Sequence, residues 1–232
     1  MIIDEYPASP APIPARIELP IVVCDVETTG LDDRSHRVIE VSYARIDEGR
    51  WDDFKIDTFR FELSPRDYAM GEPRAYAVNG YRRGHPDWKG APLLDSEDAT
   101  HGWSKIRRDL TDVILVNQNV SFDAKFLMAE MNRHAKYAFD EAPWGHRTWE
   151  VGAYTKLHMK AAKQRGWALH KAYGLIGGPA LPEHRAEADV LRAIWVMATG
   201  MELFPNVWTD FRIDTAAAKA AVERWSKARV AS

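Results

Sequence analysis

With 232 residues and 46% apolar side chains, the chain can bury one substantial domain plus extensions, in proportions ordinary for a globular protein. Its 31 basic and 34 acidic side chains leave a net charge of −3, so no global field draws in a polyanion and any nucleic-acid contact must be local. The one cysteine, Cys24, excludes a disulfide framework. It fits a reducing, cytoplasmic-type compartment, and neither a leader peptide nor an apolar run of about 18 residues, the length of a membrane span, is found.

Residues 1–20 carry Pro7, Pro10, Pro12, Pro14 and Pro20 and read as an extended arm ahead of a catalytic domain over residues 21–204. Residues 21–24 are apolar and rich in β-branched side chains, the pattern of a central strand covered on both faces. Asp25 and Glu27 follow two apart. Strand alternation places both carboxylates on one face near the C-terminal end, before Thr28-Thr29-Gly30 breaks the pattern. Two acids so close repel unless something positive lies between them, and a divalent cation is the simplest candidate; a solvent-facing pair of strand acids is the plain alternative.

Val38–Ile46 alternates as a second strand, with Glu40 read as a solvated strand acid rather than a group behind the site. After a turn, residues 51–63 form its hairpin partner. The apolar positions change parity between Ile56 and Phe59, which predicts a bulge near Thr58. A short helix is expected over residues 73–78 within an otherwise irregular stretch. A longer one covers residues 96–110, capped by Ser96, and a buried strand occupies residues 113–116. A further helix starts near Asp123, with Phe122, Phe126, Leu127 and Met131 at helical spacing, and residues 146–149 form an edge strand.

Residues 151–182 contain no acid but hold Lys156, Lys160, Lys163, Arg165 and Lys171. This is a local +5 suited either to tracking a phosphate backbone or to a solvated helical face. Leu169–Leu175 reads as a short helix. Next comes His184, then Asp189 in a periodic helix whose buried stripe is Ala188, Leu191, Trp195 and Ala198. His184 and Asp189 are five apart, about 140° round a helix, so His184 belongs at or before the helix start. Residues 205–232 end in a helical extension over residues 214–229, which either packs on the domain or offers a handle to a partner.

The segment Asp25-Val26-Glu27-Thr28-Thr29-Gly30-Leu31, the N-x-x-F-D of residues 119–123 and the H-x-x-x-x-D from His184 to Asp189 together resemble the three motifs of the DEDD superfamily of 3′-to-5′ exonucleases. The histidine places the likeness in its DnaQ-like branch, with replicase proofreading subunits, ribonuclease T and oligoribonuclease. The resemblance implies an α/β ribonuclease H-like fold, a mixed five-stranded sheet flanked by helices. It implies that Asp25, Glu27, Asp123 and Asp189 hold two Mg²⁺ or Mn²⁺ ions about 4 Å apart and that His184 is the general base. It also implies that Thr28, Val78, Asn79 and Phe122 contact the terminal nucleotide. Leu31 and Phe122 are candidates for the apolar wall on which the last base stacks. The chain departs from the family at Gln118, where histidine is common, and at Arg147, where aspartate is frequent.

The expected activity is metal-dependent release of nucleoside 5′-monophosphates from single-stranded 3′ ends, with DNA favoured and a setting in proofreading or repair. An RNA-trimming exonuclease is the nearest rival, and a non-catalytic polymerase-associated subunit the rival from another class. A polymerase and a second copy of the chain are the protein partners left open.

Overall fold

In the computed structural model, β1 (Ile21–Thr28) occupies the centre of the sheet and everything else is laid on or beside it. The structure describes residues 19–47, 50–163, 165–166, 168–182, 185–203 and 214–230; most of the proline-rich arm and His184 fall outside these. Among the described residues β2 (Val38–Ile46), β3 (Lys55–Arg60), β4 (Ile114–Asn117) and β5 (Thr148–Glu150) complete one mixed sheet in the order β3-β2-β1-β4-β5. The β1–β2 and β2–β3 pairs are antiparallel, as hairpin connections require, whereas β1–β4 and β4–β5 are parallel and joined through helices.

The expected bulge near Thr58 is absent: β2 and β3 pair without interruption from Glu40–Arg60 to Arg45–Lys55. Parity changes there because the two ends of β3 feed opposite cores. Ile56 packs with Val23 and Ala44 on one side of the sheet, and Phe59 with Val41 and Tyr43 on the other. The register shift lies instead between Glu27 and Thr28 of β1, where Ile39 is the extra residue of β2; Val38 and Ile39 consequently join the same core. Bulges re-aim side chains beside active sites, and this one falls at the acids.

The sheet is covered by α3 (Glu97–Asp109) and α4 (Val120–His134) on the face of Val22, Cys24 and Val26, and by α7 (Ala186–Leu203) on the face of Val23. Each fully buried Ile, Leu or Phe in these layers contributes on the order of 1.5–3 kcal/mol. Residues 190–201 of α7 are buried all round, so the expected single apolar stripe is wrong. The helix is enclosed by the sheet, by α5 (Gly152–Ala161), by α6 (Leu169–Leu175) and by α8 (Thr215–Val230). The packing alternative thus holds for α8: Ala218 and Val222 are buried against this core, and Asp214 caps it by accepting from the Ala217 N–H at 2.9 Å.

Two short helices precede α3. In α2 (Pro73–Asn79) the expectation holds, while α1 (Pro65–Met70) forms where an irregular stretch is expected, on a local signal: Ser64 accepts from the Asp67 N–H at 3.1 Å and Pro65 stands in the first turn. The buried Glu130 pins α4 to the start of β2, accepting from the Val38 N–H at 3.1 Å and from Arg37 Nε at 2.8 Å.

Candidate active site

Asp25 and Glu27 share the face of β1 that α7 covers, and Asp189 enters from the first turn of α7. Carboxylate oxygens of the three lie within 4.8 Å of one another. Asp123 arrives from the other face, in the first turn of α4. It bends round the strand so that Oδ1 accepts from the Val26 N–H at 3.1 Å, and it is 3% exposed. Asn117, the last residue of β4, donates its side-chain amide to Asp25 Oδ1 at 3.1 Å and also hydrogen-bonds Asp123. Four acids separated by up to 164 positions in sequence thus meet at one end of the sheet.

Their charges are uncomfortable without a counter-ion. Burial, then the neighbouring Asp123, Asp189 and Glu27, pushes the Asp25 carboxyl well above the usual carboxylate range. Burial and the Asp189 charge raise Glu27 to about 8, and burial raises Asp123 to about 7 against the hydrogen bonds that lower it. Oxygen-only ligands, partly enclosed and mutually repelling, fit hard divalent cations such as Mg²⁺ or Mn²⁺. Acids with raised folded-state values stabilise the fold fully below their unfolded values and lose that contribution as pH rises through the folded ones. The chelated protein should therefore melt at a lower temperature at about pH 8 than at about pH 6. Added Mn²⁺ should remove most of the difference and Glu27→Gln should shrink it, as differential scanning fluorimetry would read.

Several supporting groups were missed in the sequence. Glu40, expected to be solvated, is fully buried opposite Glu27 in the β1–β2 register and paired with Arg60 Nε at 3.2 Å, so a further buried acid stands beside Glu27 on the same face of the sheet. Arg192, one helical turn beyond Asp189 and 5% exposed, donates to Asp189 Oδ1 at 2.7 Å and to the carbonyls of Leu181 at 3.2 Å and Pro182 at 2.6 Å. It ties Asp189 to the segment leading to His184. On the far side of that histidine, Arg185 donates to the Asn79 carbonyl at 3.0 Å and pairs with Asp87. His184 itself lies outside the described residues. Asn117 falls just after the strand expected over residues 113–116, with no sequence pattern to mark its amide, and the structure makes it the last residue of β4. Asn117→Ala should weaken Mn²⁺ binding by about 10- to 100-fold, the usual cost of losing a group that orients ligands, as isothermal titration would show.

Beside the acids lies a cleft of about 340 Å³ lined by Glu27, Thr28, Leu31, Val78, Asn79 and Phe122, which brings together all five residues expected to meet a terminal nucleotide. Leu31 is 70% and Val78 47% exposed, so both present apolar surface to the cleft. Asn79 is largely committed to the protein, donating to the Thr28 carbonyl at 3.0 Å and accepting from the Tyr81 N–H at 3.0 Å. Arg74 also lines the cleft, and Lys125, one turn after Phe122, reaches the Leu31 carbonyl at 3.1 Å; neither cation stood out in the sequence. The two departures from the family pattern are absorbed structurally. Gln118 accepts from Thr155 Oγ1 at 2.5 Å, and Arg147 pairs with Asp112 at 3.0 Å.

A mixed sheet beginning with an antiparallel meander, with acids from β1, α4 and α7 gathered at one end, defines a ribonuclease H-like α/β protein of the nuclease kind. The exonuclease family (RNase_T) matches residues 22–197, and the chain belongs to that family, within the DnaQ-like 3′–5′ exonucleases. Among solved structures, the zinc-bound E. coli exonuclease I complex with single-stranded DNA superposes with a TM-score of 0.62 at 15% identity, covering 82% of this chain and 42% of that one. Exonuclease I from Methylocaldum szegediense gives 0.61 at 17% identity, covering 81% and 41%. E. coli exonuclease I bound to a dA16 oligonucleotide gives 0.60 at 16%, covering 80% and 41%. The chain thus spans about two fifths of the length of these proteins, and likeness at such identities speaks for the fold. Comparison with curated proteins returns no match. No helix among the described residues is long and apolar enough to cross a membrane.

Proposed function

We propose that this protein is a metal-dependent 3′–5′ exonuclease that removes nucleoside 5′-monophosphates from single-stranded 3′ ends, DNA above all. The observation that carries this reading is the group of Asp25, Glu27 and Asp189 oxygens within 4.8 Å of one another, at the edge of an open, largely apolar cleft. Asp25, Glu27, Asp123 and Asp189 would hold two Mg²⁺ or Mn²⁺ ions, which when bound lower the pKa of the attacking water and offset charge on the phosphoryl oxygens. The choice of single-stranded DNA draws on the exonuclease I complexes with that ligand.

The chain's own residues supply the rest. Leu31, Val78 and Phe122 stack against the terminal base, while Thr28 and Asn79 border the sugar. Lys125 and Arg74 bring positive charge to the cleft. Arg192 keeps Asp189 turned toward Asp25 and Glu27. His184 takes the proton of the attacking water on an imidazole nitrogen, work a carboxylate already engaged with a cation cannot do. Removal of unpaired ends suits proofreading or repair beside a polymerase, and the single buried thiol of Cys24 suits the reducing cytoplasm.

Parallel digestion of 3′-labelled single-stranded DNA, duplex DNA with a mismatched end, and RNA tests the reading. Monophosphate release that is fastest from the unpaired DNA ends is expected. Internal cleavage with an intact 3′ label would overturn it, and preferential digestion of RNA would reassign the substrate.

A further inference from the structure

A second hollow, of about 300 Å³, opens on the other side of Asp189 between α6 and α7. Its walls include His170, Tyr173, Gly178, Leu181, Asp189 and Arg192, and it shares none of its described lining residues with the cleft around Leu31 and Phe122. Glu27 lines that cleft and Asp189 lines this hollow, and their carboxylates belong to the same cluster within 4.8 Å. The two hollows therefore meet at the acids. A strand whose last nucleotide fills the first, with its scissile bond at the acids, has the hollow adjoining Asp189 next to that bond.

We propose that this groove seats the sugar-phosphate backbone of the strand upstream of the scissile bond. The proposal rests on the exonuclease reading above and adds to it a second binding site.

Charge and shape both support a polyanionic occupant. The chain's net charge is −3, yet residues 151–182 hold five basic and no acidic side chains. Lys163, Arg165, His170 and Lys171 are all exposed; His170 lines the groove, Lys171 follows it on α6, and the other two lie in the link from α5 to α6. Such an acid-free basic stretch offers the local positive field that phosphate tracking needs.

The groove wall is firmly built. The Tyr173 hydroxyl donates to the Pro179 carbonyl at 2.6 Å, and a Cβ on Gly178 would stand 2.3 Å from the Tyr173 ring, so the backbone passes directly over the ring face. Arg192 stands 6.0 Å from the centre of that ring and gives three N–H bonds, to Asp189 and to the carbonyls of Leu181 and Pro182. It holds the wall in place, while His170 lines the groove and Lys171 follows it on α6.

Strand length separates this site from the rest of the reaction. The p-nitrophenyl ester of thymidine 5′-monophosphate has no upstream strand, a dinucleotide has almost none, and a long oligonucleotide spans the groove. For Lys163→Glu/Arg165→Glu/Lys171→Glu, KM for the long strand should rise at least about tenfold more than KM for the dinucleotide, while the salt dependence of strand binding becomes shallower by about 2 in log–log slope. His170→Ala should act in the same direction with smaller effect. Equal losses on long and short substrates, or an unchanged KM for the long strand, would overturn the groove. If the unaltered protein releases monophosphate from none of the three substrates, the exonuclease reading fails instead. Fluorescence anisotropy of a labelled long strand in calcium buffer then still decides the groove, by whether the triple variant binds more weakly than the parent.

Discussion

Asp25→Ala should lower kcat/KM for release of nucleoside monophosphates by at least about 10³-fold, because bound cations supply several kcal/mol of transition-state stabilisation and each 1.36 kcal/mol is a factor of ten. Asp25 is the acid with most at stake. It lies in the Asp25–Glu27–Asp189 cluster, accepts the Asn117 amide, and feels the charges of Asp123, Asp189 and Glu27. Removing it also relieves repulsion among the others, so the chelated variant should melt no lower than the parent at about pH 8. A single-turnover assay beside thermal denaturation separates lost chemistry from lost fold. Residual activity above about a tenth of the parent's would place the cations elsewhere.

His184→Ala should slow turnover by about 10²- to 10⁴-fold, the range for loss of a positioned general base, while leaving Mn²⁺ affinity within a few fold. The distinction follows from chemistry, since the base must bind and release a proton in each cycle and a cation-bound ligand cannot. The acid limb that a protonating imidazole gives the kcat profile should vanish in the variant. Loss of Mn²⁺ binding equal to loss of rate would make His184 a ligand instead.

Much of this was legible in the sequence because two periodicities dominate. Alternation on β1 fixed the common face of Asp25 and Glu27, and helical spacing after Asn119 put Asp123 in a first turn. What stayed hidden depended on packing between distant segments. Glu40 alternates like any strand acid, and only its position opposite Glu27, beneath Arg60 and α7, buries it. The parity change in β3 has the same signature whether a strand bulges or feeds two cores. Arg192 reads as an ordinary helix cation until the 181–182 carbonyls turn out to be its partners. The apolar residues of α7 suggested a stripe because Arg192 and Thr199 interrupt them, yet both are buried as well.

The central requirement is that the gathered carboxylates hold paired cations, and isothermal titration of Mn²⁺ into chelated protein tests it most directly. Two ions per chain are expected, with binding lost in Asp25→Ala at unchanged thermal stability. No saturable binding, or the same two ions in Asp25→Ala, would contradict it.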